Sequence, residues 1–346
     1  MNIFKKRIKV AMIAPSFGDI GGPEVVTQNL TDALLELGVD VTLFAPADWK
    51  TKAKHIRSLK KSLWNMDGMS DMESGIIRNY RISAQVKILK HQQDFDIIHL
   101  HSHKYAYAVA ENLDKPCVIS FHNRFSKEAL EQIKETGAYT VALSESQKRG
   151  MEVSEVIHNG VPTGKIEHSL DKGGYLMFVG RLADQKGVDT AIEIAKKAQK
   201  KLLIFGRKGN SEERQLFFDE KISPFLDEEN IIYKGEVSHS EIYDYLRGAE
   251  ALLFPIKRPE VFGMVAAEAL ACGTPVIGTT TDPLPEILRN EKVAFLSDDL
   301  EKLVEAAKNT DRFDRKECRK YAEENFDSLV MAKKYLELYE EILGKK

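Results

Sequence analysis

Residues Pro259 to Gly278 read PEVFGMVAAEALACGTPVIG, a short helix followed by the start of a buried strand. Two carboxylates, Glu260 and Glu268, lie eight residues apart around the apolar start of that helix. The first turn of a helix carries backbone N–H groups that lack internal partners and attract anions and hydroxyls. Because carboxylates accept strong hydrogen bonds from sugar hydroxyls, this spacing predicts that both acids hold one polyhydroxylated ligand. Two solvated glutamates on a surface helix are the alternative.

The composition favours an ordinary soluble protein with two domains. A chain of 346 residues is long for one core, and its net charge of −3 gives no sign of nucleic-acid binding. Its three cysteines, Cys117, Cys272 and Cys318, are too widely spaced for a Cys-x-x-Cys metal site and fit a reducing cytoplasm. No apolar run reaches 18 residues, so we expect neither a signal peptide nor a transmembrane helix.

Short apolar runs alternate with helical periodicities along the chain. This alternation predicts the α/β class, with two doubly wound and mostly parallel sheets. The pattern restarts after a polar, glycine-ended stretch at 164–174, which has the composition of a linker. The predicted domains are therefore residues 1–163 and 164–327, followed by a C-terminal helix over 328–346.

Two cations straddle a loop that follows a predicted strand of the second domain. Arg181 and Lys186 belong to the string GRLADQKG, which begins where the strand at 175–179 ends. Ligands of open α/β sheets bind outside the carboxyl ends of the strands. These cations are therefore placed to neutralise a diphosphate, and two ordinary loop cations are the alternative. In the first domain, Gly21 and Gly22 follow the first strand and would let backbone approach a ligand closely.

Histidines mark two further strand ends of the first domain. His122 follows the strand at 116–121, while His99, His101 and His103 alternate and would share one face of a strand. Together the four could form a metal site of a hydrolase, although no carboxylate cluster accompanies them. The alternative is that His122 is a structural residue or lies beside a ligand.

A basic segment at 49–64 carries lysines and an apolar stripe formed by Ile56, Leu59, Leu63 and Trp64. This pattern predicts an amphipathic helix. Such a helix could contact an anionic membrane over residues 50–64, hold an anionic acceptor, or pack on its own domain.

The motifs together resemble those of the family 4 retaining glycosyltransferases. The resemblance rests on the E-x7-E segment with its flanking Phe262-Gly263, the GRLADQKG loop, Ser120–Asn123 and Asn159-Gly160-Val161. It departs from the family pattern at Asn123 and at Asp282-Pro283, where the family usually has glycine.

The resemblance implies the GT-B fold, in which two Rossmann-like doubly wound domains face a cleft and the last helix crosses back to the first domain. It implies that Arg181 and Lys186 contact the diphosphate of a donor, that Glu268 holds the ribose and that Glu260 holds the sugar. His122 would lie beside sugar and acceptor, which makes His122 and Glu260 the expected catalytic residues. The remaining donor-binding residues would be Gly21, Gly22, Phe262, Gly263, Met264 and Val265.

We therefore predict a retaining glycosyltransferase that moves a hexose-type sugar from a nucleotide diphosphate, most simply a UDP-sugar. The acceptor would be a small molecule, a glycan or a lipid-linked sugar, with no metal and no other cofactor. The expected location is the cytoplasm or the inner face of its membrane. The alternatives are a catalytically idle GT-B protein that binds nucleotide sugar or glycan, and another GT-B enzyme such as an epimerase or phosphorylase.

Overall fold

The computed structural model describes residues 7–17, 21–69, 72–101 and 105–344. The chain divides into two compact units, the first formed by residues 1–160 with 328–346 and the second by 161–327. The last helix thus belongs to the first unit, and the division lies three residues before the predicted boundary.

The first unit is built on a parallel sheet with the strand order β3-β2-β1-β4-β5-β6-β7. Its strands in chain order are β1 (Lys9–Ile13), β2 (Asp40–Ala45), β3 (Lys54–Arg57), β4 (Ile97–Leu100), β5 (Cys117–Ser120), β6 (Tyr139–Ala142) and β7 (Glu155–Val156). Its helices are α1 (Gly22–Glu36), α2 (Ser74–Val86), α3 (Ala106–Ala110), α4 (Lys127–Glu135), α5 (Glu145–Lys148) and the C-terminal α13 (Ser328–Ile342).

The second unit is built on a parallel sheet with the order β10-β9-β8-β11-β12-β13. Its strands are β8 (Tyr175–Val179), β9 (Lys201–Phe205), β10 (Ile231–Gly235), β11 (Ala251–Phe254), β12 (Val276–Gly278) and β13 (Ala294–Leu296). Its helices are α6 (Val188–Ala198), α7 (Glu212–Lys221), α8 (His239–Gly248), α9 (Met264–Ala271), α10 (Leu284–Ile287), α11 (Leu300–Lys308) and α12 (Arg315–Phe326).

Both sheets confirm the predicted α/β class with doubly wound parallel sheets. Their central strands are buried, as the continuous apolar runs in the sequence require of a parallel sheet covered on both faces. The strand order reverses between β1 and β4 in the first unit and between β8 and β11 in the second. Loops that leave the carboxyl ends of strands at such a point diverge and open a crevice for ligands.

The predicted basic amphipathic helix over 49–64 was wrong. Residues Lys54–Arg57 form β3 instead, which pairs with β2 in parallel from Thr42 opposite Lys54 to Ala45 opposite Arg57. The free edge of β2 offers backbone partners to this segment, and charged residues are typical of an edge strand. Of the stripe that suggested a helix, Leu59 and Leu63 pack with Ala84 in a small apolar cluster, Ile56 packs against the core of the first unit, and Trp64 is exposed.

The C-terminal helix α13 is fixed to the first unit by buried aromatic side chains. Tyr335 and Tyr339 are 1% and 0% exposed, and α13 packs along α1.

No helix within the described residues is long and apolar enough to span a membrane.

Candidate functional site

In the second unit, the loops that follow β8 and β11 pack against each other at the point where the strand order reverses. The backbone N–H of Lys257 donates to the carbonyl of Gln185 at 3.0 Å. Gly187 has φ = +71°, and a Cβ at this position would lie 1.9 Å from the carbonyl oxygen of Pro255. The two loops are therefore in backbone contact, which only glycine at 187 permits.

This loop contact brings together two of the predicted donor-binding residues. Lys186 and Glu260 form an ion pair across 74 residues of sequence, and their side chains are only 20% and 19% exposed. The backbone N–H of Glu260 also donates to the carbonyl of Asp282 at 3.0 Å, so the loop after β12 helps to hold Glu260 in place. A cation and a carboxylate thus lie side by side at the edge of the sheet.

The helix start predicted around Gly263 and Met264 is present. Gly263 caps α9 with φ = +88°, and no side chain caps the backbone N–H groups of the first turn. Met264 and Val265 are partly exposed there, in keeping with a ligand-facing turn. Phe262, however, is 2% exposed and packs on Phe326 with ring centroids 5.6 Å apart, so its side chain belongs to the core.

Glu268 lies in the second turn of α9, as predicted, and is held by two residues of α8 that the sequence analysis missed. His239 Nε2 lies 3.5 Å from the carboxylate of Glu268. Glu268 is buried, with 5% of its surface exposed. Burial and the neighbouring Glu268, to which Tyr243 hydrogen-bonds, raise the pKa of Tyr243 well above its usual range. The sequence does contain a signal for the start of α8, a capping box in which Ser238 and Glu241 hydrogen-bond to each other's backbone. That signal does not indicate that α8 contacts Glu268.

Arg181 lies on the same loop as Lys186 and is exposed, with no acidic partner among the described residues. The next loop along the sheet is packed against this one, because Leu182 N–H donates to the carbonyl of Arg207 at 3.0 Å. Arg207 itself forms a two-bond ion pair with Glu236 at 2.9 Å. A phosphate can therefore reach Arg181 without breaking an ion pair, whereas Lys186 and Arg207 are both paired with glutamates.

In the first unit, His122 follows β5 and is 8% exposed. Its Nε2 lies 2.8 Å from Nδ1 of His101, which follows the adjacent strand β4. His99, within β4, uses both ring nitrogens inside the core, at 2.6 Å from the Tyr339 hydroxyl and 2.8 Å from Ser120 Oγ. Burial lowers the pKa of both His99 and His101 well below the usual value.

These contacts give His99 two partners in the core and pair His101 with His122. Within the described ranges, no group of three or more His, Cys, Asp or Glu side chains could hold a metal ion. His103, the fourth histidine of that alternative, lies outside the described residues.

Gly21 and Gly22 begin α1, with Gly21 as the capping residue and Gly18–Ile20 outside the described residues. The structure adds Glu24, which the sequence analysis missed. Its carboxylate folds back over Gly21, where a Cβ would lie 2.1 Å from Oε2, and the residue is 4% exposed. A glutamate three residues after a helix cap commonly reaches back in this way, so the spacing was the available signal. Burial raises the pKa of Glu24 to about 7. A hydrogen bond from its own backbone N–H and the positive charge of Arg81 lower the pKa, but by less than burial raises it.

The raised pKa of Glu24 predicts a pH-dependent stability that a Glu24→Gln variant should remove. The folded chain holds the Glu24 proton more tightly than the unfolded chain, so stability falls as pH rises from about 4.5 through about 7. At pH 8 we expect Glu24→Gln to raise the free energy of unfolding by up to about 3 kcal/mol, with little effect at pH 4. Urea unfolding at both pH values checks this, with exposed Glu36→Gln of the same helix as control. An equal gain at both pH values would contradict it.

Two family models match consecutive parts of the chain. The model described as Glycosyltransferase Family 4 matches residues 20–165, and the model described as Glycosyl transferases group 1 matches 165–325. This chain belongs to the group 1 glycosyltransferases of family 4. The candidate site of the second unit lies inside the group 1 match, and His122 and the Gly21-Gly22 turn lie inside the family 4 match.

Curated relatives of this glycosyltransferase are similar over part or most of their length. An uncharacterized protein of the Klebsiella pneumoniae cps region is 34% identical over 170 residues, which is 47% of this chain and 45% of the relative. An uncharacterized glycosyltransferase of Methanocaldococcus jannaschii is 33% identical over 38% of this chain and 36% of its own. The chain thus spans less than half the length of these two. The phosphatidyl-myo-inositol mannosyltransferase of Mycobacterium leprae is 24% identical over 84% of this chain and 83% of its own.

Solved structures place this glycosyltransferase in the GT-B fold. Sucrose-phosphate synthase from Thermosynechococcus elongatus has a TM-score of 0.78 at 18% identity, covering 98% of this chain and all of its own. HepE of Anabaena, crystallised with UDP and glucose, has a TM-score of 0.74 at 16% identity, covering 96% and 99%. At such identities the likeness establishes the fold alone.

Proposed function

We propose that this glycosyltransferase is a retaining enzyme that transfers a hexose-type sugar from a nucleotide diphosphate, with a UDP-sugar as the first donor to test. The observation that carries the proposal is the Lys186–Glu260 pair at the reversal point between β8 and β11. It joins a phosphate-binding group to a hydroxyl-binding group where ligands of such sheets bind. The chain's kinship with glycosyltransferases and the UDP and glucose bound by the structurally similar HepE support it.

In this proposal each charged group has one task. Arg181 and Lys186 balance the negative charge that grows on the diphosphate as the bond from sugar carbon to phosphate oxygen breaks. The N-terminus of α9 adds its unpaired N–H groups and its helix dipole. Glu260 holds sugar hydroxyls together with the backbone of 263–265, and Glu268 holds the ribose while His239 and Tyr243 fix its position.

The reaction proposed for these groups needs no protein nucleophile. The acceptor hydroxyl attacks the sugar carbon from the face that the nucleotide leaves, and the departing phosphate oxygen takes the hydroxyl proton. The sugar is thereby passed to the acceptor and the nucleotide diphosphate is released. His122, with Gly21 and Gly22, would act on the sugar and acceptor. No step requires a metal, so we expect turnover to survive an excess of EDTA.

Calorimetric titration with UDP, GDP and ADP in EDTA tests the donor site. One nucleotide should bind, and Arg181→Ala should weaken that binding roughly tenfold to a hundredfold, because it removes a charge-assisted phosphate partner. Arg207→Ala is the matched control, since that arginine is on the next loop and paired with Glu236. An unchanged affinity in Arg181→Ala would contradict its assignment.

Turnover assays with the matching nucleotide sugar test the reaction. Relatives of this chain are named for phosphatidyl-myo-inositol, D-inositol 3-phosphate and 2-deoxystreptamine, so the acceptor panel should begin with inositols and deoxystreptamine. Release of nucleotide diphosphate with a product of retained anomeric configuration is expected. Binding without turnover on any acceptor would favour an idle binding protein, and sugar phosphate formed from inorganic phosphate would indicate a phosphorylase.

A further inference from the structure

The exposed hydrophobic side chains of this chain are concentrated in one part of the first unit. Of the eight large hydrophobic residues that are exposed among the described residues, four fall within 64–86, with exposures between 37% and 44%. These four are Trp64, Ile76, Tyr80 and Val86. Single exposed hydrophobic residues are common on soluble proteins, whereas a group of them marks an interaction surface.

The same part of the chain is strongly basic. Residues 49–93 contain ten lysines and arginines and three acidic residues, although the whole chain has a net charge of −3. The acidic residues are Asp67, Asp71 and Glu73, so no acidic residue occurs from 74 to 93. Several of the cations are exposed and have no acidic partner within the part of the chain that the structure describes, among them Lys50, Lys52, Lys60, Lys61, Arg78 and Lys90.

The segment after β3 and helix α2 pack together into one surface. Leu59 and Leu63 of that segment share a small apolar cluster with Ala84 of α2. A neighbouring side of α2 faces outward, and Ile76 and Tyr80, about one helical turn apart, are exposed on it. We call the surface formed by residues 58–66 and α2 the basic surface.

The basic surface adjoins the carboxyl edge of the first sheet. The backbone N–H groups of Leu63 and Trp64 donate to the carbonyls of Ser16 and Phe17 at 2.9 and 3.2 Å. The guanidinium of Arg81, on α2, lies 5.2 Å from the centroid of the Phe17 ring. Ser16 and Phe17 follow β1, where the strand order reverses. Because ligands of such sheets bind at this edge, the basic surface lies beside the crevice of the first unit.

We propose that the basic surface docks this glycosyltransferase on a bilayer that contains anionic lipids. Each lysine or arginine near such a bilayer strengthens binding about fivefold through its attraction to the lipid phosphates. Ile76 and Tyr80 enter the interface between head groups and acyl chains, which accepts both apolar side chains and the mixed character of tyrosine. A soluble polyanion would satisfy the cations and leave the exposed hydrophobic side chains in water, so the two features together fit a lipid surface.

Docking through the basic surface brings the crevice of the first unit next to lipid head groups. The acceptor class that it favours is therefore a lipid-linked sugar or a lipid head group, which lies at the same interface. This consequence rests on the proposed glycosyl transfer, whereas the docking does not.

Co-sedimentation of the full chain with vesicles tests the docking without any sugar donor. Vesicles of phosphatidylcholine that contain about one-third phosphatidylglycerol should bind the chain at least roughly tenfold more tightly than vesicles of phosphatidylcholine alone. About 0.5 M NaCl should remove most of this difference, because salt shortens the reach of the charges. Equal binding to both kinds of vesicle, or none to the anionic ones, would overturn the proposal.

A charge reversal locates the docking surface. The double variant Lys60→Glu, Lys61→Glu should bind the anionic vesicles roughly thirtyfold more weakly or worse, because two attracting cations become repelling anions. Lys333→Glu, Lys334→Glu is the matched control, since these adjacent lysines of α13 are also exposed and the change in net charge is the same. The control should bind nearly as the wild type does. An equal loss in both variants would show that only net charge matters, and the basic surface would not be the docking site.

A second pair of variants separates a membrane from a soluble polyanion. Ile76→Ser, Tyr80→Ser should weaken vesicle binding roughly tenfold and leave binding to heparin unchanged, because it removes apolar contacts and no charge. Leu216→Ser, Tyr139→Ser removes two exposed hydrophobic side chains from other places and should bind vesicles as the wild type does. Wild-type vesicle binding by Ile76→Ser, Tyr80→Ser, or binding of the wild type to heparin alone, would overturn the lipid assignment.

The docking and the proposed glycosyl transfer fail separately. The variants of the basic surface should keep the wild-type affinity for nucleotide diphosphate, which also checks that they fold. With a lipid-linked acceptor in anionic vesicles, Lys60→Glu, Lys61→Glu should raise KM and leave kcat nearly unchanged. If no donor and acceptor pair is turned over, the proposed function fails, and vesicle binding still decides whether the basic surface docks on a membrane.

Discussion

Glu260→Gln should lower turnover roughly a hundredfold, a loss of the size seen when one group that stabilises charge at a reacting centre is removed. The amide keeps the shape of the side chain but loses the charge that accepts hydrogen bonds from sugar hydroxyls. It also releases Lys186 from its ion pair. The affinity for nucleotide diphosphate should therefore stay unchanged or become tighter. Steady-state kinetics and calorimetry on the same preparation measure the two effects.

Lys186→Gln breaks the same ion pair from the other side and serves as the matched variant. Because it removes a phosphate partner, it should weaken nucleotide-diphosphate binding, the opposite of the result expected for Glu260→Gln. If both variants lose nucleotide affinity to the same extent, Glu260 supports the phosphate site and does not hold the sugar. Opposite changes in affinity would separate the phosphate and sugar parts of the site.

Gly187→Ala should destabilise the second unit by roughly 3–5 kcal/mol, the range of the most severe single substitutions. The residue has φ = +71°, and its Cβ would lie 1.9 Å from the carbonyl oxygen of Pro255. The clash is with backbone, so no side chain can rotate away to relieve it. Relief requires the loop after β8 to separate from the loop after β11, and Lys186 would move with it. The free energy of unfolding in urea and the nucleotide affinity should both fall.

Gly187→Ala combines the cost of a left-handed backbone with the cost of the clash with Pro255, and Gly174→Ala measures the first of these alone. Gly174 has φ = +72°, and a Cβ there would meet nothing within 4 Å. Its substitution should cost only the left-handed backbone conformation, about 1 kcal/mol. If Gly187→Ala lowers the free energy of unfolding no more than Gly174→Ala does, the backbone contact with Pro255 does not hold the two loops together.

The elements that the sequence predicted well are those set by local pattern. The predicted strand at 175–179 coincides with β8, and the strand predicted at 116–121 contains β5, because buried parallel strands are short apolar runs with polar ends. The start of α9 was also predicted from its apolar segment, and the structure places Gly263 just before it as a left-handed cap. The positions of Glu260 before that helix and Glu268 within it followed from the same local pattern.

Local patterns did not predict the segments and side chains whose structure depends on a distant partner. Residues 54–57 became β3 because β2 offered an edge, and the apolar stripe nearby gave the same signal that a helix would. The sequence pattern did not single out Glu24, yet burial raises its pKa to about 7. The alternating pattern allowed His99 as one ligand of an alternative metal site, but its Nδ1 hydrogen-bonds to Tyr339, 240 residues later in the chain.

Local sequence patterns were enough to predict the class of fold and most strands and helices along the chain, although not β3. Those properties depend on side-chain periodicity and backbone preference over a few residues. Which polar side chains face each other follows from the folded chain: Lys186 with Glu260, His239 with Glu268, and His101 with His122. The physical reason is that hydrogen bonds and ion pairs depend on distances of a few ångströms between residues far apart in the chain, which sheet order and loop packing set.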